Sequence, residues 1–221
     1  MCKGEEIEEL KERWQDLTSW VTDEVKGRWW QRILDSYTAA HRHYHTLSHL
    51  HKMFHHYDLH KDCLKDRYAC AYAIFFHDIV YDPKAKDNEA QSAEIFKQFT
   101  KDTTLDSAGY ITDLIQATAS HCTDAHLDKQ VFGSDDVHFL LDFDMAVLGS
   151  EKSEYNDYCE QIRKEYAHMD DKSFVEGRVK ILELFLQIPN IFATKQFRET
   201  YENKARANIA AEIAKLKGAG S

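Results

Sequence analysis

Apolar residues recur along this chain at steps of three and four, and strand-like alternation is scarce, so the pattern predicts helices from end to end. Over residues 5–26 the stripe is Ile7, Leu10, Trp14, Leu17, Val21 and Val25, an amphipathic helix. Trp29, Trp30, Ile33, Leu34 and Tyr37 mark a second helix, and residues 46–57 a third. A fourth is expected over 66–79, ending near Tyr81-Asp82-Pro83, because proline disfavours helical geometry in the residue before it. After a charged loop at 84–87, Asn88 reads as the N-cap of a helix over 89–100, which puts Glu89 in a first turn where the helix dipole favours its ionised form. Helices follow over 105–121 and 135–148, separated by a polar loop at 123–130, and Gly149 is expected to stop the second of them. Residues 151–166, 171–187 (broken by Pro189) and 197–216 complete the series. The expectation is an all-α bundle of about nine to ten helices in a single domain, 1–221. Within it, 1–27 packs on the core and 217–221 is a tail.

Polar residues stand out where they interrupt apolar runs. In Ala71–Pro83, Ala71, Ala73, Ile74, Phe75 and Phe76 lead directly into His77 and Asp78, and Ile79 and Val80 follow. Ionisable side chains in such a run need partners. Two readings serve: a core pair hydrogen-bonded to backbone, or two ligands of a divalent cation, for which imidazole and carboxylate are common donors. A second apolar run, from Phe139 to Gly149, is interrupted by Asp142 and Asp144. Being two residues apart, they fall on different helix faces and are not expected to bind one ion together. Upstream, His45 and His49 are four residues apart and are expected to share a helix face.

Four motifs stand in order: YHxxxH at Tyr44–His49, FHDxxYxP at Phe76–Pro83, NExxSA at Asn88–Ala93 and DxDxxxLG at Asp142–Gly149. In these the chain resembles the HD-domain superfamily, and most of all its small branch of predicted metal-dependent phosphohydrolases. The resemblance covers roughly residues 28–210. It implies an HD-domain-like helical bundle with a cation held by His49, His77, Asp78 and Asp144. His45, one turn from His49 in this reading, is the alternative first ligand or a group that orients a bound water or faces substrate, and Asp142 is the alternative to Asp144. It further implies hydrolysis of a small phosphorylated metabolite, nucleotides among the candidates, by attack of a hydroxide formed on the metal. Glu89 would manage the proton of that water, and Arg42 would grip the phosphate through its planar fork of donors. Arg178 and Lys195 are weaker phosphate candidates, read more simply as surface ion pairs. The metal is left open among manganese, magnesium, iron, cobalt, nickel and zinc. His121 and His138 could add a second ion, which opens the alternative of a di-iron oxygenase. A non-catalytic nucleotide-binding regulator on the same scaffold is a third reading. His51, His55, His56 and His60 are expected to line a solvated face.

Composition narrows the partners. Hydrophobic residues make up 43% of the 221, enough for a sizeable core, and only eight glycines and two prolines interrupt it. A formal net charge of −10 argues against a nucleic-acid polymer as partner, because phosphate backbones are gripped by a Lys/Arg surplus. A small phosphorylated substrate needs only a few local cations. Cysteines at 2, 63, 70, 122 and 159 form no CxxC pair and are odd in number, which suggests reduced thiols and a cytoplasmic setting. The opening Met-Cys-Lys-Gly-Glu-Glu runs straight into charge, and no apolar stretch approaches the roughly 18 residues of a membrane span.

Overall fold

Eleven α-helices and two short 3₁₀ turns account for the secondary structure of residues 3–218, which the computed structural model describes. Among these residues there is no β-strand, only an isolated bridge between Gly133 and Thr194, so the all-α expectation holds. No described helix is long and apolar enough to cross a membrane. Cys2 and positions 219–221 of the expected tail lie outside the described residues, whereas Lys217 and Gly218 belong to the last helix. The chain divides into two compact units, Met1–His121 and Cys122–Ser221.

In the first unit the helix expected over 5–26 is two helices, α1 (Lys3–Leu17) and α2 (Asp23–Tyr37). The break is local. Thr18 turns its hydroxyl back onto the Trp14 carbonyl at 2.6 Å, and the Val21 amide closes a turn onto Thr18. Asp23 and Glu24 then open α2 with charges that suit its N-terminal dipole. Helices α3 (Leu47–His60), α4 (Arg67–Phe76), α5 (Asn88–Thr103) and α6 (Ala108–Ala117) complete the unit. Asp66 caps α4 by accepting from the Ala69 amide at 2.9 Å. From Ala69 to Phe76 every residue of α4 is buried, because α1, α3, α5 and α6 all pack around it. The core is aromatic: Trp14 meets Phe75 edge-on at 5.3 Å, and Trp29 meets Phe99 edge-on at 5.4 Å. Each such pair adds about 0.5–1.5 kcal/mol beyond the area it buries. Together they fix the axis of α4, and with it the place where the chain leaves that helix.

The second unit holds α7 (Asp124–Leu127), α8 (Asp136–Met145), α9 (Lys152–Glu165), α10 (Asp171–Gln187) and α11 (Lys195–Gly218). The short α7 lies inside the stretch expected as a polar loop. Its start is a reciprocal cap in which the Thr123 amide donates to His126 Nδ1 at 2.9 Å, and α8 starts the same way through Asp135 and His138. Gly149 ends the 3₁₀ turn after α8, but not by adopting a left-handed backbone, since no glycine in the described residues has positive φ. A Cβ at Gly149 would stand 2.6 Å from Tyr201 Cβ and 2.8 Å from the Tyr201 carbonyl oxygen, so the glycine admits α11 at close range. Gly149→Ala is therefore expected to destabilise the protein by about 1–3 kcal/mol, the usual cost of overpacking. A urea midpoint unchanged from wild type would contradict this.

Candidate metal centre

The apolar run that carries His77 and Asp78 continues past the end of the helix. Regular α4 stops at Phe76, and the pair occupies the turn immediately beyond, not the helix interior expected from the sequence. The His77 amide still closes onto the Ala73 carbonyl at 2.8 Å. Its ring Nδ1 lies 2.9 Å from the Ile74 carbonyl oxygen. A carbonyl can only accept, so Nδ1 carries a hydrogen, which in the neutral ring leaves the Nε2 lone pair for a metal. Nε2 is 3.2 Å from Asp78 Oδ2, and the same oxygen is 4.0 Å from His45 Nε2.

Three elements fix this turn from outside. Arg42 is buried and donates through Nη1 to the carbonyls of Asp78 (2.7 Å) and His45 (3.1 Å), and through Nη2 to that of Ile79 (3.0 Å). Tyr37, the last residue of α2, donates its hydroxyl to the Phe75 carbonyl and accepts the Asp78 amide at 3.3 Å. From α5, the Asn88 side chain accepts from the Asp82 amide (3.0 Å) and donates to the Asp82 carbonyl (2.9 Å). Ser92 Oγ, one turn along, accepts the Val80 amide and donates to its carbonyl. One expectation changes as a result. Asn88 is the first residue of α5 rather than its cap, and its side chain clamps the Asp82 loop. Arg42 turns both of its terminal nitrogens to backbone carbonyls of the His45 bend and the His77–Asp78 turn, while its Nε makes no hydrogen bond. The roles of Tyr37 and Ser92 were not read from the sequence. The available signals were a buried tyrosine hydroxyl, which needs a partner, and the four-residue step from Asn88 to Ser92, which puts both on one face of α5.

His45 and His49 do not share a helix. His49 is in the first turn of α3 and buried, whereas His45 lies in the bend before it, where Thr46 is fully extended. Their ring centroids are 5.9 Å apart, and the His49 ring is 5.5 Å from that of His77. His45 stacks on Tyr81 at 4.2 Å. Within the first unit His49 and His77 each offer one ring nitrogen, within 4.8 Å of one another, as two ligands of a metal ion could.

The two aspartates of α8 are differently engaged. Asp142 is fully buried and accepts from the Ala193 amide (2.7 Å), the Thr194 amide (2.8 Å) and the Thr194 hydroxyl (2.6 Å). It anchors the chain before α11. Burial pushes its carboxyl up to about 7, against the pull of those three donors. Glu89 stands half-buried in the first turn of α5, as expected, and no hydrogen bond or ion pair joins it to the histidines among the described residues. His138 Nδ1 accepts from the Asp135 amide at the start of α8, and His121 adopts a left-handed backbone with φ 49°. Of the α3 histidines expected on a solvated face, His55 is exposed and His51 pairs with Glu9 at 2.6 Å. Lys195 forms an exposed pair with Glu199, as expected, but the Arg178 pair is buried rather than on the surface.

No family model, curated protein or solved structure matches the chain.

Proposed function

We propose that the chain is a metal-dependent phosphohydrolase of the HD-domain type, acting on a small phosphorylated metabolite. The observation that carries this reading is the pair His49 and His77, whose ligand atoms lie within 4.8 Å of one another, together with the hydrogen bond that puts a hydrogen on His77 Nδ1; Asp144 is the further ligand that the resemblance implies. The Asp78 carboxylate, 3.2 Å from His77 Nε2, completes the donor set in this reading. Two imidazoles among the donors favour manganese, iron, cobalt, nickel or zinc over magnesium, which prefers oxygen ligands and retained water. A divalent cation held there would lower the pKa of a coordinated water and shield the charge of a phosphate.

The remaining work falls to the protein. Glu89 is the carboxylate assigned to the proton of the attacking water. Its helix is locked to the metal turn by Asn88 on Asp82 and Ser92 on Val80, so the first turn of α5 and the His77–Asp78 segment keep a fixed relation. His45, in the bend beside Asp78, is assigned to the incoming substrate rather than to the metal.

Elemental analysis of the purified protein, with a screen of phosphorylated metabolites in the presence of each cation in turn, tests the reading. Release of inorganic phosphate from none of them under any cation would sink it. Within an active preparation, Glu89→Gln is expected to keep the metal and the helical signal and to lose about 10²- to 10⁴-fold in turnover, the range of a general acid–base group. Unchanged turnover would leave Glu89 only a helix-start role.

A further inference from the structure

We infer that Arg42 and Tyr37 are positioning residues for the metal centre, which together set the geometry of the turn that carries His77 and Asp78. The inference rests on the metal-binding reading above and goes beyond it, because neither residue is a ligand.

The peptide groups of Asp78 carry the argument. Its carbonyl accepts from Arg42 Nη1 at 2.7 Å and its amide donates to the Tyr37 hydroxyl, so both backbone polar groups of this residue are held by side chains remote in sequence. Arg42 reaches further, to the carbonyls of Ile79 on one side and His45 on the other. One rigid guanidinium thus ties the bend before α3 to the turn after α4, the two segments that bring His45 and the His77–Asp78 pair together. The guanidinium lies over the Tyr37 ring at 4.7 Å and the Tyr81 ring at 5.4 Å. A planar, delocalised cation fits such a slot and can address carbonyls at its edge. A lysine ammonium is a compact, strongly hydrated point charge without the planar fork that reaches three carbonyls from one slot. Taking an arginine out of water onto neutral carbonyls costs free energy that a surface arginine avoids. Here the cost is met in fixing one turn, the one that presents the proposed ligands.

Cobalt(II) titration of wild type, Arg42→Lys and Tyr37→Phe, read by calorimetry and by visible absorption, separates positioning from general support. Arg42→Lys keeps the charge and loses the fork. It is expected to retain the helical circular-dichroism signal and a cooperative melt, to bind cobalt about 10- to 100-fold more weakly, and to shift the absorption bands of the bound ion. Tyr37→Phe keeps the ring beneath Arg42 and loses two hydrogen bonds, to the Phe75 carbonyl and from the Asp78 amide, so a loss of about 2- to 10-fold is expected. Arg42→Lys binding within twofold of wild type, with unchanged bands, overturns the inference. Should Arg42→Lys fail to fold, Tyr37→Phe decides: weaker binding supports positioning, and unchanged binding overturns it. A wild-type protein that binds no cobalt overturns the metal-binding reading itself, a result distinct from equal binding by all three proteins.

Discussion

His77→Ala and Asp78→Ala are each expected to empty the proposed metal centre while leaving the helices in place. Loss of a partner that merely orients a ligand weakens a metal about 10- to 100-fold, so loss of a ligand should exceed about 100-fold. The fold is expected to tolerate the changes, because the aromatic core that sets α4 lies before the pair, in Phe75 and Phe76 packed on Trp14 and Trp29. The backbone of the turn is likewise held by Arg42, Tyr37, Asn88 and Ser92, none of which contacts the removed side chains through the bonds that fix it. In the same titration, His49→Ala should behave like His77→Ala, while His45→Ala should keep the ion. The structure separates the two histidines more sharply than their four-residue spacing suggests, one buried in α3 and the other in the bend before it. Full metal occupancy in His77→Ala or Asp78→Ala would show that the centre has been misplaced. An empty site in His45→Ala with a filled one in His49→Ala would exchange those two roles.

What the sequence made legible was whatever is decided within one helix. The bounds 171–187 follow from a cap and a stop that are both local, Asp170 accepting from the Ser173 amide and Pro189 beyond the last turn. Apolar spacing likewise picked out Trp14, Trp29, Ile33 and Tyr37 as core. Illegible were the features decided by partners far along the chain. The run from Ala71 to Val80 is apolar enough to continue as helix, yet it turns at His77, where Arg42, Tyr37 and Ser92 take up the backbone groups of the segment that follows. Only the resemblance to the HD-domain superfamily told Asp144 from Asp142 in the sequence. Three donors more than fifty residues away occupy Asp142, and no periodicity in the sequence announces them. The start of α7 was missed for a different reason. Its reciprocal cap uses histidine at the position where glutamate or glutamine is the usual signal.

Glu212→Ala is expected to destabilise the protein by about 3–5 kcal/mol, the cost of leaving a buried charge without its partner. The carboxylate accepts from Arg178 Nε at 2.8 Å, from Arg178 Nη2 at 3.2 Å and from the Tyr155 hydroxyl at 2.5 Å. The Arg178 and Glu212 side chains are only 11% and 8% exposed, so solvent screens the pair weakly and the small value usual for surface ion pairs does not apply. Burial alone would raise the Glu212 carboxyl, but the Arg178 hydrogen bonds and charge, with Tyr155 and Cys159, hold it below its ordinary 4.5. The same carboxylate, after burial, keeps the Cys159 thiol up to about 12, so Cys159 stays protonated. A depressed carboxylate binds fewer protons in the folded than in the unfolded state. Its contribution is therefore complete above about pH 4.5 and is lost as pH falls below that value. Urea unfolding at pH 7 and again below pH 4 checks both parts. The wild type should lose more stability between the two than Glu212→Gln, which keeps an acceptor for Tyr155 but has no proton to gain. A loss under about 1 kcal/mol for Glu212→Ala at pH 7 would mean that water reaches Arg178 and that the pair behaves as a surface one.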